Sequence, residues 1–554
     1  MNRSLSDAVV VAVVGCAFAV GALLWLWGGV AGALFGGGWP RLAAAQLASV
    51  ATRLPAQLGD PARAWPAAER AQLPGAAGFY AALALLGLVA VAALRLSAAT
   101  LLRPREGGAR WASDRELRIL SRTRGRTARL VLGRHRGRSL RAEQHHALVA
   151  FGPPQSGKSS GLAIPALLEW QGPAVASSIK TDLLGATLAR RRQLGRVFVF
   201  DPFQLAGSRS DTWSPLRAAH NWDGALEVAW RLATAGELDQ RAVEGGDFWA
   251  IAAEQRLAPL LYTAAVTGAG IENVVRWAYG QGGRELHEAL ASRIERGAGE
   301  HELAGARAAY DAVRAFESQA DRTRSSIEAT AQGLLRAYRF ARVARSASSC
   351  EITPERLLDE AATLYLIGDS KASKLLRPLF LALLSEIVDH AYERATRAGG
   401  KLELPLLLCL DEAGNVAPLP NLAEIASTAP SHNIQLVSIF HDLAQARTRY
   451  RQQAETMVNS HRARMLLPGV ADLETLRYFA GLIGEEEIRE LTRTTGAGGT
   501  TRSTGRRRRP LLAAEALRQL PDGHALLLYG RLAPVRIRLR MWFSDRRLRR
   551  LAAP

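Results

Sequence analysis

One octapeptide constrains this chain more than any other feature. Gly152-Pro153-Pro154-Gln155-Ser156-Gly157-Lys158-Ser159 fits the spacing G-x-x-x-x-G-K-[ST] at every fixed position. A short apolar run, residues 146–151, leads into it, and the helix-like stretch LAIPALLEW follows. Chemistry explains the fixed positions. Glycines let backbone N–H groups close around phosphate oxygens, the lysine reaches β and γ phosphates, and the serine hydroxyl ligates Mg²⁺. A following helix adds the positive end of its dipole. The bland alternative is a glycine turn, and the flanking strand and helix argue against it.

Phosphoryl chemistry also needs carboxylates. Residues 405–410 form an apolar run that ends in Asp411-Glu412. Asp411 is expected to hold Mg²⁺, in part through water, and Glu412 to orient and deprotonate the attacking water. Further short apolar runs lie at 174–179, 197–200, 363–367, 434–440 and 463–467, each followed by polar residues. They read as buried parallel strands. Helical patterns between them predict an α/β, doubly wound sheet with its ligand site beyond the strand carboxyl ends. Lys180, Asp182, Asp201 and Asp411 all fall just past such ends.

Two uncharged runs precede this region, at residues 9–35 and 75–94, the second expected to continue as a helix to about 96. Each is long enough to cross a bilayer, which takes about 20 residues. Trp25 and Trp27 lie toward one end of the first, where interfacial aromatics belong. Arg95 to Arg141 carries 14 arginines, a bias that places this side in the cytoplasm and the loop 36–74 outside. A cleaved signal peptide ending near Ala31-Gly32-Ala33 is the competing reading, with a long apolar run against it. The domains expected are an anchor at 1–104, a nucleotide-binding domain at 105–221 and 346–554, and an all-helical insertion at 222–345.

Lysine plus arginine number 71 against 51 acidic residues, which favours anionic partners. Only Lys158, Lys180, Lys371, Lys374 and Lys401 are lysines, so the basicity is almost all arginine. Cys16, Cys350 and Cys409 have no metal or redox spacing, in keeping with a reduced, cytoplasmic main body. In the helical stretch, Trp230, Phe248, Trp249, Trp277 and Tyr279 read as helix-packing core in preference to base-stacking platforms. Leu491 to Pro510 is rich in Gly, Thr and Arg and reads as a mobile loop. Its run Arg506 to Arg509 reads as a solvated loop, a lipid-surface contact or a track for a phosphate backbone.

In this order the pieces resemble the coupling proteins of type IV secretion and conjugation, the TraG/TraD-type ATPases. The match runs from the two apolar helices through Gly152 to Ser159, Ser178-Ile179-Lys180-Thr181-Asp182-Leu183, Val199-Phe200-Asp201-Pro202 and Thr212-Trp213-Ser214-Pro215-Leu216. It continues through Asp411-Glu412, Ile434 to Gln445, Tyr450 and Pro521-Asp522-Gly523. The resemblance implies a RecA-like P-loop core that binds ATP and Mg²⁺. It also implies a homo-hexamer in the cytoplasmic membrane, spanning it more than once. Its cargo would be DNA, relaxase-bound DNA or secreted protein, passed to a type IV secretion channel. It assigns to the nucleotide Gly152, Pro153, Pro154, Gln155, Ser156, Gly157, Lys158, Ser159, Ser160, His441 and Gln445, with Ser159 and Asp411 on the metal. Two positions depart from the family. His441 stands where a glutamine is usual, and Ala429 to Asn433 lacks the arginine expected to act on a neighbouring subunit. Arg447 or Arg462 is the candidate replacement. A protein-only coupling ATPase and a nucleotide-binding membrane scaffold stay open as alternatives.

Overall fold

Strands buried on both faces need apolar side chains at every position, and the apolar runs fold accordingly. The computed structural model describes residues 3–101, 108–121, 129–144, 146–240, 246–297, 299–496 and 499–553. Its strands are β1 (Val131–His135), β2 (Arg138–Arg141), β3 (Leu148–Phe151), β4 (Ala174–Ser178), β5 (Val197–Phe200), β6 (Thr363–Ile367), β7 (Leu406–Leu410), β8 (Ile434–Phe440), β9 (Ala463–Leu466), β10 (Glu485–Gly496), β11 (Gly499–Pro510), β12 (His524–Tyr529) and β13 (Val535–Arg538).

Eleven of these make one sheet in the order β2-β1-β13-β12-β9-β3-β8-β7-β4-β6-β5. From β9 to β5 every pairing is parallel. The other end is antiparallel, through β12 on β9, β13 on β12 and the β1–β2 hairpin on β13. Alternate residues feed two cores. Val149, Phe151, Leu408 and Leu436 enter one, with helices Trp222–Gln240, Gly246–Thr267 and Ser370–Arg397 on that face. Leu148, Ala150, Cys409 and Val437 enter the other, beneath Ile164–Glu169, Asp182–Leu194 and Arg546–Ala552.

Arg191 pins the Asp182–Leu194 helix to the sheet. Fully buried, it donates to Thr363 Oγ1 at 2.6 Å and to the carbonyls of Trp170 and Gly172 at 2.6 and 2.7 Å. Burial, with no carboxylate partner among the described residues, lowers its pKa to about 10.

Described residues between 222 and 345 are helical, with no strand. Trp277 is core, as expected of it, whereas Trp230 and Phe248 are 50% and 56% exposed and face solvent. The mobile loop expected at 491–510 is instead the far half of β10 and the whole of β11, which form a two-stranded ribbon. β10 pairs with β11 from Glu485↔Pro510 to Gly496↔Gly499. This sets the acidic run Glu485 to Glu487 opposite Arg508 to Pro510, and Arg509 Nε lies 2.7 Å from Glu486 Oε1. Threonines suit a strand, and cross-strand opposite charges stabilise the pairing. Gly/Thr/Arg composition alone hid both.

The described residues before 108 form a unit of their own. Helices Arg3–Phe35 and Ala76–Leu101 contain windows, Phe18–Phe35 and Ala76–Arg95, long and apolar enough to cross a membrane. Residues 36–74 fold against them, with Ala44–Arg53 helical and Trp65 fully buried. Trp27, expected near a membrane interface, packs inside this unit. It is buried, donates from Nε1 to the Phe79 carbonyl at 2.7 Å and meets Trp65 edge-on. Trp25, by contrast, is exposed beside Trp39. The expected boundary at 104/105 and parts of the arginine-rich segment (102–107 and 122–128) lie outside the described residues.

Candidate functional site

Phe151 ends β3 with its ring stacked on Phe440 of β8 and edge-on to Phe479, at 6.1 and 5.9 Å. Burying such a ring contributes roughly 1.5–3 kcal/mol. The rigid strand end then launches the loop 152–159. Its turn needs left-handed backbone at Gln155 (φ 67°) and Gly157 (φ 90°). A Cβ on Gly157 would lie 2.6 Å from Met541 Cε. Met541 belongs to a segment after β13 that backs the loop, and the Trp542 N–H donates to the Ser160 carbonyl at 3.0 Å. Past the loop the expected helix opens with a wide turn, Ser159–Ala163, in which the Ile164 N–H bonds the Ser159 carbonyl. Pro165 has no N–H to give Gly161, which explains the widening.

β7 brings Asp411 and Glu412 to the same sheet edge. Ser159 Oγ donates to Asp411 Oδ2 at 2.5 Å. Lys158 Nζ lies 3.6 Å from Glu412 Oε1 and 3.0 Å from His441 Nδ1. His441 closes the ring, with Nε2 2.9 Å from Glu412 Oε2. Lysine has only donors and carboxylate only acceptors, so this geometry selects the imidazole tautomer that carries its proton on Nε2. His441 therefore bridges the lysine and the acid, in addition to standing where phosphate contact was expected. Gln445 Oε1 accepts from the His441 backbone N–H at 2.8 Å, fixing the turn after β8.

Glu412 itself has φ 66°, a costly conformation for a non-glycine residue and one that persists at functional sites. Asn415, which the sequence did not single out, holds its carboxylate by donating Nδ2 to Oε2 at 3.0 Å.

Electrostatics separate the two acids. Burial pushes Asp411 up to about 6, against the Ser159 hydrogen bond that lowers it. Burial also raises Glu412, but its His441 hydrogen bond and Lys158 outweigh that and hold it below the usual carboxylate value. Lys158 is lowered by burial, partly offset by Glu412 and Asp411.

The residues present fit a magnesium nucleotide. Asp411 Oδ1 and Ser156 Oγ are buried with no hydrogen-bond partner among the described residues. Orphaned buried oxygens of this kind call for a ligand. Gly152 leaves open a space where a Cβ would meet Ser156 Oγ at 2.5 Å. Ser159 and Asp411 supply the hard oxygen ligands that Mg²⁺ prefers.

Other expected positions serve the frame. Asp201 is buried and accepts from Ala206 N–H at 2.7 Å, and Trp213 Nε1 donates to Glu386 at 2.8 Å. Tyr450 is buried against Phe440. Asp182 opens its helix, and Lys180 stays exposed. Of the two candidate arginines, Arg447 is paired with Glu474 and Glu455 of its own chain. Arg462 packs beside Gly530. Ala429 to Asn433 precedes β8 and so sits at the sheet edge opposite the phosphate loop.

The family model for type IV secretory system conjugative DNA transfer matches residues 110–553. The conjugal transfer protein TraG of Escherichia coli is 25% identical over 462 residues, covering 75% of this chain and 71% of that protein. Protein VirD4 of Rhizobium rhizogenes is 25% identical over 518 residues, 85% of this chain and 71% of its own. Among solved structures, the bacterial conjugative coupling protein TrwB lacking its N-terminal 70 residues shares the fold with a TM-score of 0.60 at 17% identity, over 78% of this chain and 92% of that one. TrwB has also been solved with ADP and Mg²⁺, a structure that matches at a TM-score of 0.57. With a phosphate loop, an acidic pair and a RecA-like sheet in one continuous match, the chain belongs to the conjugative DNA-transfer family of type IV secretory systems.

Proposed function

We propose that this protein is a membrane-anchored coupling ATPase that hydrolyses ATP to move DNA, or relaxase-bound DNA, toward a type IV secretion channel. The observation that carries the reading is the convergence of Lys158, Ser159, Asp411, Glu412 and His441 on one edge of the sheet, beside two orphaned buried oxygens. ATP is the substrate, and Ser159 and Asp411 would hold Mg²⁺, which when bound would supply charge neutralisation at the phosphates. Lys158 exchanges its bonds to His441 and Glu412 for the β and γ phosphates. Glu412, so released, orients a water whose oxygen bonds to the γ phosphorus as the β–γ bridging bond breaks; the proton passes to Glu412, leaving ADP and phosphate. The depressed carboxylate is ionised at neutral pH, as that role requires.

TraG and VirD4 relatives and the net charge of +20 support a DNA cargo. Two spanning-length helices support a multi-pass seat in the cytoplasmic membrane, and the family resemblance supports a hexameric ring. The test is steady-state ATP hydrolysis by detergent-solubilised full-length protein, with and without single- and double-stranded DNA, with Lys158→Ala as blank. DNA-stimulated turnover that Lys158→Ala abolishes supports the motor. Nucleotide binding without turnover under any of these conditions rejects it in favour of a scaffold.

A further inference from the structure

A second charged feature lies at the same sheet edge, away from the nucleotide. Arg336, Arg339, Arg342 and Arg345 recur every third residue and are all exposed, while Ala337, Tyr338, Val343 and Ala344 between them are buried. The first two sit on the 3₁₀ helix Arg336–Arg339, where a three-residue repeat aligns side chains on one face. The next two lie on the turn Ala341–Arg345. Lys371 and Lys374, one helical turn apart, begin the helix that follows β6 and close a cleft of about 890 Å³ with Arg336, Arg339 and Phe340. These are two of only five lysines in the chain.

None of the six cations is in an ion pair among the described residues, although 51 acids are present in the sequence. The nearest carboxylate in sequence, Asp369, is occupied in capping the backbone N–H groups of Lys371 and Ala372. Aromatic rings hold the arginines in place. Arg339 lies over Tyr279 at 5.0 Å and Arg342 over Phe203 at 5.5 Å, and Phe203 meets Phe340 edge-on at 5.6 Å. Phe340 keeps 47% of its surface exposed in the middle of the row. An exposed ring flanked by pre-oriented, unpaired cations is what a nucleic-acid strand recognises: charge for the backbone and a flat face for a base.

We propose that this arginine–lysine row, with Phe340 at its centre, is a binding track for the phosphodiester backbone of single-stranded nucleic acid. The proposal rests on the DNA-motor reading and names the surface that would grip the strand. It moves that role away from Arg506 to Arg509, a run in which Arg508 and Arg509 stand opposite Glu487 and Glu486 and Arg506 lies 3.8 Å from Glu487. Seated past the end of β6, two strands from the Asp411 strand β7, the track shares a sheet edge with the nucleotide site.

The test uses full-length protein in detergent and a labelled mixed-sequence 20-mer. Affinity is read against salt for wild type, for Arg336, Arg339, Lys371 and Lys374 all changed to Ser, for the same four changed to Arg or Lys with charge retained, and for Phe340→Leu. Removing four phosphate contacts lowers the magnitude of the log–log salt slope by about 3 and weakens binding roughly a hundredfold near 0.1 M salt. The charge-retaining set keeps the slope, and Phe340→Leu weakens binding about tenfold with the slope unchanged. Binding of a fluorescent ATP analogue, equal in all variants, certifies the fold. If wild type binds the strand and the four-serine variant keeps its affinity and slope, the track is wrong and the motor reading stands. If wild type binds no strand, both fall. Tighter binding of duplex, or equal binding of polyglutamate, also overturns the track.

Discussion

The proposed place of Asp411 on the metal links Mg²⁺ binding to protons. The Asp411 carboxyl is moved from 3.8 to about 6 by burial, and Glu412 nearby adds to the rise. Because the folded value is raised, the protonated form stabilises the metal-free fold; that contribution is present below about pH 4 and is lost as pH climbs through 6, a change of about 3 kcal/mol. Mg²⁺ needs the ionised form, so binding must expel the proton. At pH 5 only about a tenth of the sites are ionised, and affinity for a magnesium nucleotide falls roughly tenfold from its value at pH 8. The assay is titration calorimetry with Mg²⁺ and a non-hydrolysable ATP analogue, in buffers of differing ionisation heat, between pH 5 and 8. Wild type releases about half a proton more than Asp411→Asn at pH 6, and close to none more at pH 8. Equal proton release by the two proteins across this range would show that Asp411 does not lose a proton when the magnesium nucleotide binds.

Two further substitutions probe the frame. Gly157→Ala adds a methyl where φ is 90° and Met541 Cε lies 2.6 Å away, so nucleotide affinity falls at least a hundredfold in fluorescence titration while circular dichroism stays unchanged. Arg191→Met removes a buried charge but strands the carbonyls of Trp170 and Gly172, costing about 3 kcal/mol in denaturant unfolding of the 108–554 unit.

The parallel strands were legible because burial on both faces forces unbroken apolar runs such as Leu406 to Leu410. The phosphate loop and acidic pair were legible because their spacing is set by nucleotide chemistry. What stayed hidden depends on partners distant in sequence. β1 and β2 are arginine-rich and look like juxtamembrane charge until Arg134 pairs in register with Arg538. The β10–β11 ribbon required matching an acidic run against a basic one some 20 residues later. Met541 behind the loop, Asn415 on Glu412 and the bridging geometry of His441 belong to no local pattern. The widened turn after Ser159 could have been found, since Pro165 in a first turn announces a missing donor.

The proposed function rests on Glu412 activating water at a site that Lys158, Ser159 and Asp411 build. Its most direct measurement pairs nucleotide binding with phosphate release in wild type and Glu412→Gln. The glutamine variant is expected to bind the ATP analogue within about threefold of wild type and to turn over 10²- to 10⁴-fold more slowly. Turnover retained in Glu412→Gln, with binding intact, would contradict that role of Glu412.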